Sequence, residues 1–244
     1  MILKRIKVKT GQELLTNSYI VFDEKSNEAM VIDPGAEPEK IISVLNDQGV
    51  EHLKYIFLTH CHADHIGGVP ELKAQKGGKI LISRVDAEGL YNPEISLAPY
   101  IDMPNIELEA DSRIDDEDLI HIGNLEFQVI STPGHTKGSV CLYYPEGRLV
   151  FTGDTIFSGS WGRTDLPTGN FVEIMNSISN RLMTLPDETI VYPGHGKVTM
   201  ISDEKSIYEE LRPKDFWLIE GGSYEYGRTK DNVWFYGINT RDAN

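Results

Sequence analysis

The stretch Thr59-His60-Cys61-His62-Ala63-Asp64-His65-Ile66-Gly67-Gly68 decides the fold of this chain, and it places three imidazoles and a carboxylate within six positions. The preceding residues 53–58 are apolar, β-branched and aromatic, which predicts a short buried strand. Pro70, just after the glycines, is typical of the first turn of a helix. The polar residues therefore lie on a strand-to-helix loop at the carboxyl end of a strand, where α/β folds place their sites.

The spacing of these side chains indicates metal binding. In an extended chain residues i and i+2 face the same side, so His60 and His62 can share one ion while Cys61 points away. We interpret Cys61 as a small buried residue rather than a thiolate ligand. Asp64 and His65 follow after the chain turns, and they can face a second point a few ångströms away. Nitrogen and oxygen ligands without sulfur suit zinc, iron or manganese and do not choose among them.

Length and composition bound the class of protein. The 244 residues fit one large α/β domain, or a domain with a small appendage, and their 40% apolar and 25% charged content is ordinary for a globular core. A net charge of -15 argues against a nucleic-acid partner, because phosphate binding needs a basic surface. Two cysteines argue against a disulfide scaffold and favour a cytoplasmic location. No signal peptide and no apolar run of ~20 residues is found, so no membrane partner is expected.

The remaining sequence alternates between predicted strands and helices. Residues 91–105 contain three prolines without a clear period, and we expect a loop that lies over the pocket. His52 and His121 stand alone and are interpreted as structural. Strands are predicted near residues 2–8, 18–22, 28–32, 80–82, 125–130, 138–144, 148–152 and 189–192, and helices near 38–49, 69–76, 85–90, 170–184 and 202–211.

Three later stretches repeat the layout of the first motif, with a metal-competent residue directly after a strand and a glycine. They deliver His135, Asp154 and His195. The glycine lets the backbone pass close to a neighbouring group. Because all four segments share this layout, we expect seven side chains to converge on one pocket. Asp33 follows another strand, and it either contacts this site or caps a turn.

The motifs T-H-C-H-A-D-H-I-G-G, T-P-G-H-T, F-T-G-D-T and Y-P-G-H-G together resemble the metallo-β-lactamase superfamily of hydrolases, and they are most similar to its glyoxalase II-like branch. The resemblance covers residues 1–212. It implies an α/β fold, a four-layer αβ/βα sandwich with two mixed β-sheets, helices on the outer faces and metals at one edge. It also implies two divalent metal ions, zinc first, with iron or manganese as alternatives. The implied ligands are His60, His62 and His135 for the first ion, Asp64, His65 and His195 for the second, and Asp154 as a bridge.

The implied reaction is hydrolysis of a small-molecule thioester. Two divalent ions about 3.5–4 Å apart share a water and lower its pKa toward ~7, so a bridging hydroxide is the nucleophile. One ion stabilises the oxyanion while Asp64 orients the hydroxide, which makes Asp64 a catalytic residue as well as a ligand. Arg163, in the G-R-T-D segment after Asp154, either holds a substrate carboxylate or makes a structural contact with Asp165.

The chain departs from the family after His195, where too little sequence remains for the helical glutathione-binding domain of glyoxalase II. This short form leaves the thiol carrier open. Residues 213–244 are an aromatic-rich C-terminal extension, which we expect to pack on its own domain or, in a homo-oligomer, on a second subunit. Its aromatic residues are Phe216, Trp217, Tyr224, Tyr226, Trp234, Phe235 and Tyr236.

Two other activities stand as alternatives. The persulfide dioxygenase family shares T-H-C-H-A-D-H, T-P-G-H-T and G-R-T-D but uses one iron, held by two histidines and an aspartate. His60, His135 and Asp154 would form that set. Lactone hydrolysis is a third, chemically close reaction. Metal content per chain and oxygen uptake with a thiol persulfide distinguish the dioxygenase from the hydrolase.

Overall fold

Two six-stranded sheets face each other in the computed structural model, which describes residues 1–211, 223–228 and 234–239. The first sheet contains, in spatial order, β1 (Ile2–Lys9), β2 (Leu15–Asp23), β3 (Glu28–Ile32), β4 (Tyr55–Phe57), β5 (Lys79–Ser83) and β6 (Ser112–Ile114). The second sheet contains β7 (Leu119–Ile122), β8 (Leu125–Ser131), β9 (Val140–Tyr144), β10 (Leu149–Gly153), β13 (Ile190–Pro193) and β14 (Thr199–Met200). A small hairpin, β11 (Ile156–Phe157) with β12 (Ser160–Trp161), lies between β10 and β13 in the chain.

Both sheets are mixed. In the first, β1, β2 and β3 pair antiparallel, whereas β3, β4, β5 and β6 pair parallel. In the second, β10 pairs parallel with β13, and the order is β14-β13-β10-β9-β8-β7. Strands β8, β10 and β13 therefore run in the same direction, because β9 is antiparallel to both β8 and β10. Their carboxyl ends meet at one edge, which is where parallel strands place functional loops.

The apolar side chains divide the domain into four layers. Successive side chains of a strand point to opposite faces of the sheet, and buried apolar side chains lie on both faces of each sheet. Between the sheets lies a cluster that includes Tyr19, Met30 and Phe57 from one sheet and Phe127 and Phe151 from the other. Each such buried side chain contributes roughly 1.5–3 kcal/mol relative to its exposed state. Two further clusters join the outer face of each sheet to helices. The structure thus confirms the predicted sandwich of two mixed sheets with helices outside.

The described residues contain six α-helices, which are α1 (Pro38–Asp47), α2 (Ala63–Ile66), α3 (Val69–Lys76), α4 (Pro93–Ser96), α5 (Phe171–Ser177) and α6 (Ile201–Leu211). Four of these six, α1, α3, α4 and α5, begin where proline or a capping side chain favours them. Asn170 caps α5 by accepting a hydrogen bond from Glu173 N at 3.1 Å. The helix predicted over 170–184 is shorter than expected, because a π-helical turn follows over Ile178–Leu182.

Residues 91–105 are more regular than the predicted loop. Pro93 and Pro99 lie in the first turns of α4 and of a 3-10 helix over Ala98–Ile101. Leu97 and Asp102 adopt positive φ values of 63° and 56°, and each ends one of these turns. The prediction of a loop was wrong here because proline starts helices as well as breaking them. Likewise, the helix predicted over 85–90 is a 3-10 turn over Ala87–Leu90.

The backbone divides into two units, Met1–Tyr208 and Glu209–Asn244. In the second unit, strands β15 (Ser223–Arg228) and β16 (Trp234–Asn239) pair antiparallel. Phe216 and Trp217 lie outside the described residues, and packing of the extension on its own domain or on a second subunit stays a prediction. Among the helices of the described ranges, none combines the length and apolar character that spanning a bilayer requires.

Candidate metal centre

The first motif occupies the turn from β4 into α2 and is buried. Thr59 fixes the start of the turn, because its N–H and hydroxyl donate to the two carboxylate oxygens of Asp33 at 2.8 and 2.7 Å. His60 follows in the turn and is 1% exposed. His62 precedes the first turn of α2, which carries Asp64 and His65. The extended residues and the helical residues of the motif thus present their side chains from two successive pieces of backbone.

The other three predicted residues follow β8, β10 and β13 at the shared sheet edge. They are His135, Asp154 and His195. Here the glycine of the motif has a steric purpose, since a Cβ on Gly194 would lie 2.3 Å from Asp154 Oδ1 and 2.6 Å from His65 Cε1. Only glycine lets this backbone come so close to the other polar groups.

The structure brings all seven predicted side chains into one cluster. Its donor atoms fall into three overlapping groups, each with its atoms within 4.8 Å of one another: His60, His62 and His135; His60, His65 and Asp154; and Asp64, His65 and His195. Asp154 lies between the groups, because its carboxylate is 3.6 Å from His135 Nε2, 3.2 Å from His65 Nε2 and 3.3 Å from His195 Nε2. We call His60, His62 and His135 the imidazole group, and Asp64, His65 and His195 the carboxylate group.

Hydrogen bonds outside the cluster fix three of the rings. The Nδ1 atom of His135 donates to the carbonyl of Arg163 at 2.8 Å, and that of His195 donates to the carbonyl of Leu15 at 2.8 Å. His65 Nδ1 is 3.0 Å from Asp33 Oδ2. A neutral imidazole that donates through Nδ1 has its lone pair on Nε2. All three Nε2 atoms therefore face the cluster, where each can bind a metal once it carries no proton, and outer hydrogen bonds orient the ligand rings of metal sites in the same way.

Several buried atoms of the cluster lack a hydrogen-bond partner. In the part of the chain that the structure describes, four buried side-chain atoms are in this state, and three belong to the cluster: His60 Nε2, His62 Nε2 and Asp154 Oδ1. Each such atom costs about 1–3 kcal/mol. In addition, His62 Nδ1 and His135 Nε2 approach to 2.9 Å. That contact is a hydrogen bond in which the tautomer decides which nitrogen donates. The three cluster atoms without a partner offer lone pairs that a cation would satisfy, so these residues fit a metal site.

Residues 11–195 match the family described as the metallo-beta-lactamase superfamily. The chain belongs to this superfamily. It is also 33% identical over 191 residues to the hydroxyacylglutathione hydrolase GloC of Haemophilus influenzae. The alignment covers 78% of this chain and 89% of that protein. The predicted family is thus confirmed, and the chain is a member of a metallo-hydrolase superfamily.

Solved structures of the metallo-β-lactamase fold superpose on most of the chain. The B3 metallo-beta-lactamase BLEG-1 aligns with a TM-score of 0.79 and 32% identity, covering 87% of this chain and 100% of that one. TTHA1623 in a di-iron-bound form aligns with a TM-score of 0.71 and 34% identity over 82% and 96% of the two chains. ETHE1 from Myxococcus xanthus aligns with a TM-score of 0.67 and 30% identity over 91% and 96%.

The imidazole group and the carboxylate group differ in electrostatics. Burial and the neighbouring rings hold the pKa of His60 well below its usual value, and burial with His135 lowers the pKa of His62 to about 3. Burial opposes protonation of His195 too, but Asp154 outweighs it and raises the pKa to about 10. In the same way Asp154 and Asp64 raise the pKa of His65 well above its usual value.

The carboxylates of the centre respond in the opposite direction. Burial favours the neutral form of Asp154, yet the rings of His195 and His65 lower its pKa well below the usual range. His65 and His195 likewise overcome burial and lower the pKa of Asp64. Both carboxyl groups are therefore anionic at neutral pH. The centre as a whole combines two carboxylates with imidazoles, and both are ligand types that divalent cations bind.

The open questions about Asp33, Cys61 and Arg163 have structural answers. Asp33 contacts the site, because its carboxylate bonds both Thr59 and His65. Cys61 is fully buried and belongs to none of the donor groups found among the described residues. The guanidinium of Arg163 is exposed and bonds the Asp165 carboxylate in two places, at 2.8 and 2.7 Å. That is the structural contact foreseen for it, and its role toward a substrate stays a prediction.

Some groups that shape the centre carry no signal in the sequence. The carbonyls of Leu15 and Arg163 orient two rings, and a backbone carbonyl is present at every residue. Thr16 adds a hydroxyl that points to Asp64 Oδ2 at 3.5 Å. Asp86 was also missed, since a single aspartate after a strand is common. Only the tertiary structure shows what each of these groups contacts.

Proposed function

We propose that this metallo-hydrolase superfamily member hydrolyses small-molecule thioesters, in the manner of glyoxalase II, with two divalent metal ions. The observation that carries the proposal is the donor set: seven histidine and aspartate side chains in one cluster, with Asp154 between two groups of three. Two metal ions held there would supply a hydroxide near neutral pH and polarise the substrate carbonyl.

Each part of the cluster would have its own role in metal binding and hydrolysis. The imidazole group would hold one ion, the carboxylate group the other, and Asp154 would contact both. Asp64 would also accept a hydrogen bond from the attacking water and so orient it, and the Thr16 hydroxyl, 3.5 Å from Asp64 Oδ2, would steady that carboxylate. The reaction adds water across the acyl–sulfur bond and yields a carboxylic acid and a thiol. Because a thiolate leaves readily, no general acid is required.

Several findings support the finer parts of the proposal. The relative from Haemophilus influenzae is described as a hydroxyacylglutathione hydrolase, and the alignment with this chain spans 89% of its length, which supports a glutathione thioester as the substrate. Histidine and carboxylate ligands suit zinc, which we propose first, and the di-iron form of TTHA1623 supports iron as the alternative. The two buried, unpaired thiols support a reducing cytoplasm.

The test is hydrolysis of S-lactoylglutathione by protein loaded with zinc, iron or manganese. Loss of the thioester absorbance measures the rate, and a lactone and simple acyl thioesters complete the panel. We expect thioester turnover with at least one metal, its loss after treatment with a chelator, and its return when metal is added back.

A matched pair of variants makes the test specific. His195→Ala removes a member of the carboxylate group, and we expect it to abolish most of the activity. His121→Ala removes an exposed histidine that contacts Glu126 away from the centre, and we expect wild-type rates. The proposal is wrong if no loaded form turns over any thioester, or if the rate survives the chelator.

Persulfide oxidation is the second candidate, and one observation favours it. The structural neighbour ETHE1 from Myxococcus xanthus shares 30% identity over 91% of this chain. The set proposed for a single iron, His60, His135 and Asp154, lies within the same cluster, and Asp154 is 3.6 Å from His135 Nε2. Oxygen consumption with a thiol persulfide and one iron per chain would support this candidate. Two metals per chain with thioester turnover and no oxygen uptake would rule it out.

A further inference from the structure

Asp86 is a buried carboxylate outside the cluster that uses both of its oxygens. It follows β5 and is 3% exposed. Oδ1 accepts a hydrogen bond from Gly138 N at 2.8 Å. Oδ2 accepts from the Thr136 hydroxyl at 2.6 Å and from Cys61 N at 3.2 Å. Burial raises the pKa of this carboxyl, while these donors oppose the rise.

The partners of Asp86 belong to two different metal-binding loops. Cys61 lies between His60 and His62 on the loop after β4 of the first sheet. Thr136 and Gly138 follow His135 on the loop after β8 of the second sheet. One carboxylate therefore ties together the two loops that provide every member of the imidazole group. The nitrogens His62 Nδ1 and His135 Nε2, one from each loop, lie 2.9 Å apart.

The surroundings are shaped for this carboxylate. A Cβ on Gly138 would lie 2.3 Å from Asp86 Oδ1, so only glycine lets the amide approach. Thr136 is fully buried, and its hydroxyl also contacts the Ser139 hydroxyl at 2.7 Å. Ser83 Oγ accepts a hydrogen bond from Asp86 N at 3.1 Å and so holds the backbone of Asp86 itself. These contacts form a polar network between the sheets that reaches no donor atom of the carboxylate group.

We propose that Asp86 is a positioning residue for metal binding: through Cys61 N and the Thr136 hydroxyl it sets the separation of His60 and His62 from His135. The inference rests on the metal-binding part of the proposed function. It explains why a carboxylate is buried here although it touches no donor atom of the cluster. It also predicts a selective effect, because the carboxylate group receives its outer contacts from Asp33 and Leu15 instead.

The experiment measures metal affinity rather than activity. Full-length protein is stripped with a chelator and titrated with Zn²⁺ by calorimetry, and with Co²⁺ by visible absorption, which reports the geometry of the ligands. The variants are Asp86→Asn and Thr136→Val, which weaken the contact with little change of shape. Thr136→Ser keeps the hydroxyl and serves as the rescue, and Asp115→Asn alters an exposed carboxylate that pairs with Arg84.

We expect Asp86→Asn and Thr136→Val to weaken one metal equivalent about 10- to 100-fold, the usual effect of losing an outer partner of a metal ligand. That equivalent should also show an altered Co²⁺ spectrum, while the other stays unchanged. Thr136→Ser and Asp115→Asn should behave as wild type. Adding Asp86→Asn to a His62→Ala variant, whose imidazole group is already broken, should then have no further effect on the remaining equivalent.

Two results would overturn the inference. One is unchanged affinity for both equivalents in Asp86→Asn and Thr136→Val. The other is equal weakening of both equivalents together with a lower melting temperature, which is the pattern of a general structural role. If Asp86→Asn fails to fold, the comparison of Thr136→Val with Thr136→Ser tests the inference instead. Wild-type protein that binds one equivalent contradicts the binuclear proposal, and the positioning role is then judged by whether that equivalent weakens. Failure to hydrolyse thioesters affects neither outcome.

Discussion

The imidazole group and the carboxylate group lie side by side, yet they are built differently. The first contains three rings from loops of both sheets, and the second contains Asp64, His65 and His195. In the imidazole group, burial keeps His60 and His62 neutral. In the carboxylate group, Asp64 and Asp154 overcome the same burial and raise the pKa of His65 and His195. His60 and His65 are both fully buried, yet their pKa values shift in opposite directions, because His65 Nε2 lies 3.2 Å from Asp154 and 3.6 Å from Asp64.

This contrast has a chemical consequence. A ring that is neutral needs to release no proton when it binds a metal, whereas an imidazolium must do so first. The two groups are therefore expected to differ in the pH dependence of metal affinity, although they share Asp154. The outer contacts differ as well: Asp86 joins the loops of one group, and Asp33 bonds His65 of the other. The following variants separate these contributions.

Replacing the shared carboxylate should have the largest effect. Asp154→Asn keeps the size of the side chain but replaces one acceptor oxygen by a donor NH₂. Because Asp154 contacts both groups, we expect metal content to fall and kcat/KM for a thioester to drop by more than the about 100-fold that an outer partner costs. Elemental analysis and steady-state rates measure both. Asp187→Asn, at an exposed residue that pairs with Lys205, is the control. Full metal content in Asp154→Asn would contradict the bridging position.

The next prediction concerns pH. In chelator-stripped protein the raised pKa of His195, about 10, means that its ring carries a proton at neutral pH. Metal affinity at the carboxylate group should then rise about tenfold per pH unit for each proton released, from pH 6.5 to 8.5. His60 and His62 add no such dependence, because their pKa values are lowered. Zinc titration of His62→Ala, which isolates the carboxylate group, and of His195→Ala, which isolates the other, measures the two slopes. Equal slopes would show that the electrostatic contrast is wrong.

Asp33 should have a smaller effect on the metal. Its Oδ2 atom is 3.0 Å from His65 Nδ1, and it also accepts the Thr59 hydroxyl at 2.7 Å. Asp33→Asn leaves one acceptor oxygen for these donors, so the His65 ring loses part of its orientation. We expect metal affinity to fall about 10-fold, at the low end of the range for outer partners. Competition with a chromogenic chelator measures it. An unchanged affinity would mean that the Asp33 carboxylate is not needed to orient the His65 ring.

The sequence predicted much of this centre because its candidate ligands follow local rules. A buried strand, a glycine and a polar residue recur three times, a fourth buried strand leads into the first motif, and the carboxyl ends of parallel strands must meet at an edge. The contacts that tune the centre follow no local rule. Leu15 contributes a carbonyl from a strand 180 residues away from His195. Asp86 is distinguished from other aspartates only by the loops around it. In residues 91–105 prolines start short helices instead of breaking them, and that outcome depends on how the segment packs.

The smallest effect is expected at Arg163, which connects the imidazole group to the surface. Its carbonyl orients His135, while its exposed guanidinium bonds Asp165. Arg163→Gln keeps the carbonyl, so metal content and kcat should stay as in wild type. If the guanidinium meets a substrate carboxylate, KM should rise about 2- to 5-fold, the range of an exposed ion pair, for S-lactoylglutathione but not for an uncharged thioester. Asp165→Asn, which weakens the two hydrogen bonds from the guanidinium to this side chain, should leave that KM equal or lower it. A rise of KM for both substrates would assign Arg163 to the structure of the loop alone.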